Sequence, residues 1–314
     1  MRLTLSSAAA VALLAAAQPA ICANPPLAVT IEATQEALRH KVHDFVAAAV
    51  VQPIGQESLL RWNRPICPLV VGLPKEWGEL ILARISQAAR DAHAPLAGEH
   101  CEPNLFVVVS PQPDEVLKQW MANKPKVDTP HGLEPLKQFL HSTRPIRVWY
   151  DSEPGCEGGV SQPQSAGQLS ALGLPTGALS KYVSAGPPGG MGPTFCNNRM
   201  DTHLTYGDIR SIGYAIVVAD SNKLHENHVT LGQLGDYAAL VGLANIQPDA
   251  DGGGEPTMLR LFHDPKPPTE LTQWDRALLY SLYNTNQSGK LQLTDMEVSM
   301  ARRMTTQTAQ RSTP

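Results

Sequence analysis

The fold is decided by a short apolar stretch, Cys67-Pro68-Leu69-Val70-Val71-Gly72-Leu73, which is bounded by Pro and Gly. Such a stretch predicts a buried strand. Pro74 suits the first turn of a helix, predicted over 75–92 because an apolar stripe that begins at Trp77 recurs there at helical spacing. A second buried strand is predicted over 105–109. Strand, helix and strand in this order predict a right-handed βαβ unit with parallel strands.

The cysteines constrain this unit. Cys67 and Cys101 each lie just before a predicted strand. If the two strands are neighbours, both sulfurs lie at the same edge of the sheet, within reach of a disulfide. Cys156 and Cys196 would then form a second bridge. The four cysteines after residue 23 permit three pairings, and this is the one that we favour.

The first 23 residues have the pattern of an export signal. Arg2 is followed by an apolar run over 8–17, and a cleavage site follows Ala23. The run is too short to span a membrane. Cleavage would discard Cys22 and leave an even number of cysteines, which favours two disulfides in an exported chain. We therefore expect a periplasmic or secreted protein without a membrane span.

Composition limits the function classes. The chain has 314 residues and a net charge of −4, and no Lys/Arg cluster stands out, so a nucleic-acid partner is not expected. Residues 24–304 are long enough for one domain, which we expect to be α/β or α+β, with a small mixed sheet and packed helices. A Gly/Pro-rich excursion is predicted over 154–207 and a disordered tail over 305–314.

Three capping-box patterns mark helix starts in the last third of the chain. They predict a helix to about residue 246, a second helix after residue 272 and a C-terminal helix to about residue 304. The three pairs are Thr230 with Gln233, Thr272 with Asp275, and Thr294 with Glu297.

Two segments invite a metal-binding interpretation. The histidines of His225-Glu226-Asn227-His228 are three apart in a predicted loop, whereas zinc proteases need a spacing of four on a helix, so a solvated polar loop is preferred. The segment from Asn284 to Asp295 overlaps the pattern of a calcium loop, with further candidate ligands at Asn286 and Ser288. Asp295 would be its only carboxylate, and a plain interhelical turn explains the same residues. No metal or other cofactor is predicted.

Catalytic motifs are equally sparse. The chain has no Gly-x-Ser-x-Gly and no Ser-x-x-Lys. The alternation in Ile146–Tyr150 predicts a half-exposed strand. Asp151 and Glu153 follow this strand and form a candidate carboxylate pair, but two acidic residues in a surface turn are common. No catalytic residue is predicted.

Four segments carry a resemblance to exported bacterial proteins with a zincin-like, metalloprotease-like scaffold. They are Arg64–Gly72, Cys101–Val109, Ala215–Asp220 and Leu231–Gly242. In catalytic members of such folds, the helix after the edge strand carries a His-Glu pair and a second ligand one turn later. The corresponding helix here, 231–246, contains no histidine, and residues such as Leu234, Gly235 and Ala239 cannot bind zinc. The resemblance therefore implies a degenerate scaffold that lacks the zinc motif.

Polar residues remain on that helix. Gln233 and Asp236, with Tyr237 beside them, are candidates for lining a groove that binds a peptide or another ligand. Alternatively, Gln233 closes the capping box and Asp236 stabilises the positive end of the helix.

Three function classes follow. The first is a non-catalytic binding or structural protein with an extracytoplasmic protein or peptide partner. The second is a periplasmic or secreted hydrolase that uses Asp151 and Glu153, or a metal bound by scattered histidines. The third is a module stabilised by calcium at 284–295. The candidate histidines are His203, His225, His228 and His263.

Overall fold

A four-stranded mixed sheet lies at the centre of the protein. The computed structural model describes residues 27–53, 58–123, 127, 129, 132–154, 210–285 and 290–311. The strands are β1 (Pro68–Val71), β2 (Leu105–Ser110), β3 (Ile146–Pro154) and β4 (Arg210–Asp220), in the spatial order β1-β2-β4-β3. β1, β2 and β4 are parallel, and β3 is antiparallel to β4. The expected mixture of helices around a small mixed sheet is confirmed.

The described part of the chain contains eight α-helices. None of them is long and apolar enough to cross a membrane. In chain order they are α1 (Leu27–Ala49), α2 (Lys75–Ala92), α3 (Pro113–Asn123), α4 (Glu134–His141), α5 (Ser221–Glu226), α6 (Leu231–Leu243), α7 (Gln273–Asn284) and α8 (Lys290–Arg311).

The predicted strand–helix–strand unit is present as β1, α2 and β2. Pro68 pairs with Leu105 in the parallel register. Cys67 and Cys101 precede the two strands and form a disulfide, with 5.9 Å between their Cα atoms, so the first predicted bridge is confirmed. Cys156 and Cys196 lie outside the described residues, and their pairing stays a prediction.

Side chains of β2 alternate between two hydrophobic cores, because successive residues of a strand point to opposite faces of the sheet. Leu105, Val107 and Val109 belong to the larger core, which includes buried side chains of α1, α2, α6, α7 and α8. Phe106 and Val108 belong to the smaller core, with side chains of α3 and α4. The protein therefore has three layers, with helices on both faces of the sheet.

Two of the three capping boxes are confirmed. Thr230 and Thr272 each accept a hydrogen bond from the backbone three residues later, at the first turns of α6 and α7. The third prediction is wrong, because Thr294 lies inside α8, which begins at Lys290. The same helix continues to Arg311, past residue 305, where the sequence predicts a disordered tail.

The helix α5 replaces part of a predicted loop. The side chain of Asp220 accepts hydrogen bonds from the backbone N–H groups of Asn222 and Lys223 and so begins the helix. His225 and Glu226 therefore belong to a helix, and His228 follows it with a φ of 54°. Of the predicted Gly/Pro-rich excursion, only Pro154 lies within the described residues, as the last residue of β3.

Candidate functional site

The candidate site lies along the outer edge of β3. Among the described strands, β3 lies at the end of the sheet order and pairs with β4 on one side. The backbone N–H of Asp220 donates to the carbonyl of Pro145 at 2.8 Å, so these opposite residues form a hydrogen-bonded pair. Antiparallel pairing alternates, so the N–H and C=O groups of Ile146, Val148 and Tyr150 point away from β4. No backbone hydrogen bond between described residues occupies these outward groups.

A cleft of about 310 Å³ follows this edge. One wall comes from α4, through Pro135, Gln138 and Phe139. The opposite wall comes from residues 51–53, from Ser58 and Leu60, and from the segment 245–248 after α6. Pockets of this size accommodate small molecules or short lengths of extended peptide.

Tyr150 fixes the end of α6 against the edge strand. Its hydroxyl donates to the carbonyl of Val241 at 2.6 Å, lies 2.9 Å from the carbonyl of Ala244 and accepts from the N–H of Ile246 at 3.3 Å. The last carbonyl groups of a helix have no partner within it, so this hydroxyl satisfies groups that would otherwise be buried without one. Burial raises the pKa of Tyr150 far above its usual value.

The three candidate groove residues of α6 lie in different surroundings. Tyr237 lines the cleft and contacts the edge of the Phe262 ring, with 5.7 Å between ring centroids. Gln233 is buried, closes the capping box with Thr230 and donates to the carbonyl of Pro268 at 2.9 Å. It therefore binds α6 to the segment before α7.

Neither Gln233 nor Asp236 is among the described lining residues of the cleft. The Oδ2 atom of Asp236 accepts from Nη1 of Arg84 at 2.7 Å and from the backbone N–H of Leu271 at 3.1 Å. The carboxylate is buried while the guanidinium is partly exposed. Asp236 thus joins α6 to α2 and to the start of α7, and only Tyr237 of the three contributes to the cleft.

The charged residues that line the cleft are all arginines, as far as the described lining extends. They are Arg144, Arg147 and Arg210. Arg147 is buried, donates to the carbonyl of Leu140 and pairs with Asp114 at 2.8 Å. Arg210 donates to the hydroxyl of Ser152 at 2.6 Å. Guanidinium groups carry a permanent positive charge, so the charged side chains in the described lining are all positive, although Arg147 is paired with Asp114.

The predicted calcium loop is only partly visible. Asn286 and Ser288 lie outside the described residues. Asn284 donates to the carbonyls of Ala92 and Tyr280, and Asp295 accepts from the hydroxyl of Thr285 at 2.5 Å. Both side chains therefore make structural contacts at the ends of α7 and α8. Within the described ranges, no three His, Cys, Asp or Glu side chains are grouped so that they could hold a metal ion.

The candidate catalytic residues are not assembled around the cleft. Asp151 and Glu153 lie within β3 rather than in a turn after it, because the strand continues to Pro154. His225, His228 and His263 are absent from the described lining of the cleft. His203 lies outside the described residues.

Sequence reasoning missed most of the cleft. The alternation in Ile146–Tyr150 indicates a half-exposed strand, which is the one local signal for a sheet edge. Arg144 and the segment 245–248 carry no signal of their own, because they reach the cleft only through the packing of α4 and α6 around β3. Comparison with protein-family models, with curated proteins and with solved structures finds no match to this chain.

Burial of tyrosines predicts sensitivity to alkali. Burial raises the pKa values of Tyr150, Tyr214, Tyr237 and Tyr283 above 10, that of Tyr237 to about 12. The folded state therefore binds more protons than the unfolded state above pH 10, and the free energy of unfolding falls as the pH rises through this range. In a spectrophotometric titration, we expect these four hydroxyls to ionise only when the protein unfolds.

The control is the variant Tyr237→Phe, which should remove one tyrosine from the late-ionising class. Ionisation of all seven tyrosines near pH 10 while the far-ultraviolet circular dichroism stays native would contradict the prediction.

Proposed function

We propose that this protein is an exported, non-catalytic binding protein that holds an extended peptide along the outer edge of β3. The observation that carries the proposal is the row of outward backbone groups at Ile146, Val148 and Tyr150 beside the cleft. A peptide that adds a strand to a sheet edge gains affinity from main-chain hydrogen bonds. It gains specificity from pockets that receive its alternate side chains.

The dimensions of the cleft agree with a short extended peptide. Residues 146–150 span about 17 Å at the rise of an antiparallel strand, which suits a partner of about five residues. Ile146, Val148 and Tyr150 all line the cleft, and Tyr237 adds an aromatic surface beside them. Apolar side chains of a bound strand would therefore meet apolar side chains of the protein.

The lining chemistry favours binding over turnover. The described part of the lining includes serine and threonine hydroxyls but no histidine, cysteine, aspartate or glutamate. A hydroxyl becomes a nucleophile when a general base lies within hydrogen-bond reach, and none of the usual bases lines this part of the cleft. Export belongs to the proposal through the pattern of residues 1–23, which lie outside the described residues. The zincin-like scaffold and the hydrolase alternative stay predictions of the sequence.

The experiment is a selection of random heptapeptides on the protein recovered from an exported fraction, followed by affinity measurement on the variant Val148→Pro. The N–H of Val148 points away from β4, so proline at this position removes an outward donor and leaves the pairing with β4 intact. We expect the selected peptides to bind this variant about tenfold more weakly, the effect of one lost hydrogen bond.

The matched control is Val148→Thr, which keeps both the outward N–H and a β-branched side chain. It should bind the selected peptides as the unchanged protein does. Failure to select any peptide, or equal affinity for the proline and threonine variants, would overturn the proposal. Release of cleaved peptide during the measurement would instead support the hydrolase.

A further inference from the structure

The charged residues of the cleft indicate which kind of peptide it binds. On the basis of the proposed function, we infer that the bound peptide is acidic and that one of its carboxylates binds Arg144, just before the start of β3. Three guanidinium groups and no carboxylate belong to the described lining. A basic peptide would add like charge to this lining, whereas an acidic peptide complements it.

Two of the three arginines are committed to the protein. Arg147 is buried, with its guanidinium divided between the carbonyl of Leu140 and the carboxylate of Asp114. Arg210 makes hydrogen bonds to the side chain and the carbonyl of Ser152 through Nη2. These contacts hold the two guanidinium groups in place beside the edge strand, and the carboxylate of Asp114 offsets the charge of Arg147.

Arg144 differs because its own side chain is accessible: it is 35% exposed, whereas that of Arg147 is 4% exposed. The guanidinium of Arg144 pairs with Asp249, whose side chain is 85% exposed. An ion pair with so exposed a carboxylate contributes little to stability, because water solvates the carboxylate almost as well. A carboxylate of a bound peptide can therefore take the place of Asp249 at small cost.

The position of Arg144 sets where that carboxylate lies. Arg144 precedes β3 by two residues, so it lies beside Ile146, the first residue of the strand with outward backbone groups. A peptide paired with residues 146–150 reaches this point with its terminal part. The acidic residue is accordingly expected near one end of the peptide rather than in its centre.

The experiment compares blocked peptides of alternating Val and Thr that carry Glu, Gln or Lys at one end or the other. We expect the peptide with Glu at the favoured end to bind about tenfold more tightly than its Gln counterpart, at low salt. The preference should shrink at high salt, because ions screen the partly exposed Arg144. The variant Arg144→Gln should abolish the preference, and Arg144→Lys should retain part of it.

The matched control is Arg39→Gln, which removes an exposed arginine of α1 that is not among the lining residues. It should leave the preference unchanged. Equal affinities for the Glu, Gln and Lys peptides, combined with weaker binding by Val148→Pro, would overturn the acidic preference and leave the peptide-binding function standing. No binding of any peptide would overturn both.

A second copy of this chain is the competing occupant of the edge. Sedimentation velocity of the protein without peptide tests it. Dimers that dissociate in the Val148→Pro variant would show that β3 pairs with β3 of another copy, and both proposals would then fail. A monomer that binds the Glu peptide supports them.

Discussion

Replacing Asp275 by alanine is expected to lower the free energy of unfolding by about 3–5 kcal/mol. The carboxylate is fully buried at the first turn of α7. Its oxygens accept from the hydroxyl of Thr257, the N–H of Met258 at 3.0 Å and the N–H of Thr272 at 2.8 Å. Alanine leaves these donors buried without an acceptor. The substitution also removes the hydrogen bonds that join α7 to Thr257 and Met258 in the preceding segment.

The measurement is urea unfolding followed by circular dichroism at fixed pH and salt. Asp275→Asn should recover part of the loss, because the amide keeps one acceptor oxygen and the same shape. Asp44→Ala, which changes an exposed carboxylate of α1, should alter the free energy of unfolding by less than about 0.5 kcal/mol. A loss below about 1 kcal/mol for Asp275→Ala would contradict the structural role.

The same carboxylate predicts a dependence on pH. Burial raises the pKa of Asp275, although its hydrogen bonds act in the opposite direction. The folded state therefore binds this proton more tightly than the unfolded state. The contribution to stability is complete below the unfolded pKa and is lost as the pH rises through the folded pKa. Asp275→Asn should remove this part of the pH dependence, so the difference between the two proteins changes with pH.

Removing the disulfide between Cys67 and Cys101 is expected to lower the free energy of unfolding by about 3–4 kcal/mol. The two cysteines are 34 residues apart in sequence, and the chain-entropy model gives this magnitude for a loop of that length. The native arrangement should survive the loss. Asn104 still accepts from the N–H of Cys67 at 2.7 Å and donates to the carbonyl of Pro65 at 3.0 Å.

The measurement is urea unfolding of the double variant Cys67→Ala, Cys101→Ala, with and without reductant. Without reductant the double variant should unfold at a lower urea concentration than the unchanged protein. Any further loss on adding reductant reports on Cys156 and Cys196, and so tests the second predicted bridge separately. An unchanged midpoint for the double variant would contradict the chain-entropy estimate.

Local signals predicted the elements that depend on neighbouring residues. Pro74 and the apolar spacing after it predicted α2, and Thr230 and Thr272 predicted the starts of α6 and α7. The cap, the helix and the first turn involve residues within four positions of one another. Such interactions are present in the sequence before any tertiary contact forms.

The errors occur where distant contacts compete with a local signal. Thr294 has a capping pattern, yet the buried side chain of Gln292 accepts a hydrogen bond from the N–H of Leu59 at 2.7 Å. Gln292 lies two residues before Thr294, in the first turn of α8. Trp77 fits the predicted apolar stripe of α2, but its side chain is 49% exposed.

The fold and the candidate site likewise combine features that the sequence predicts with features that only the tertiary structure shows. The sequence predicted the parallel unit of β1, α2 and β2 and favoured the disulfide at its edge, because short apolar runs mark the two strands and a cysteine precedes each of them. The cleft required the tertiary structure, since the outer edge of β3 becomes a site only when α4 and the segment after α6 pack on either side of it. Asp236 is a polar helix residue in the sequence, and its pairing with Arg84, 152 residues away, decides that it is structural. Pairing across such distances depends on the relative positions of whole elements, which no local pattern records.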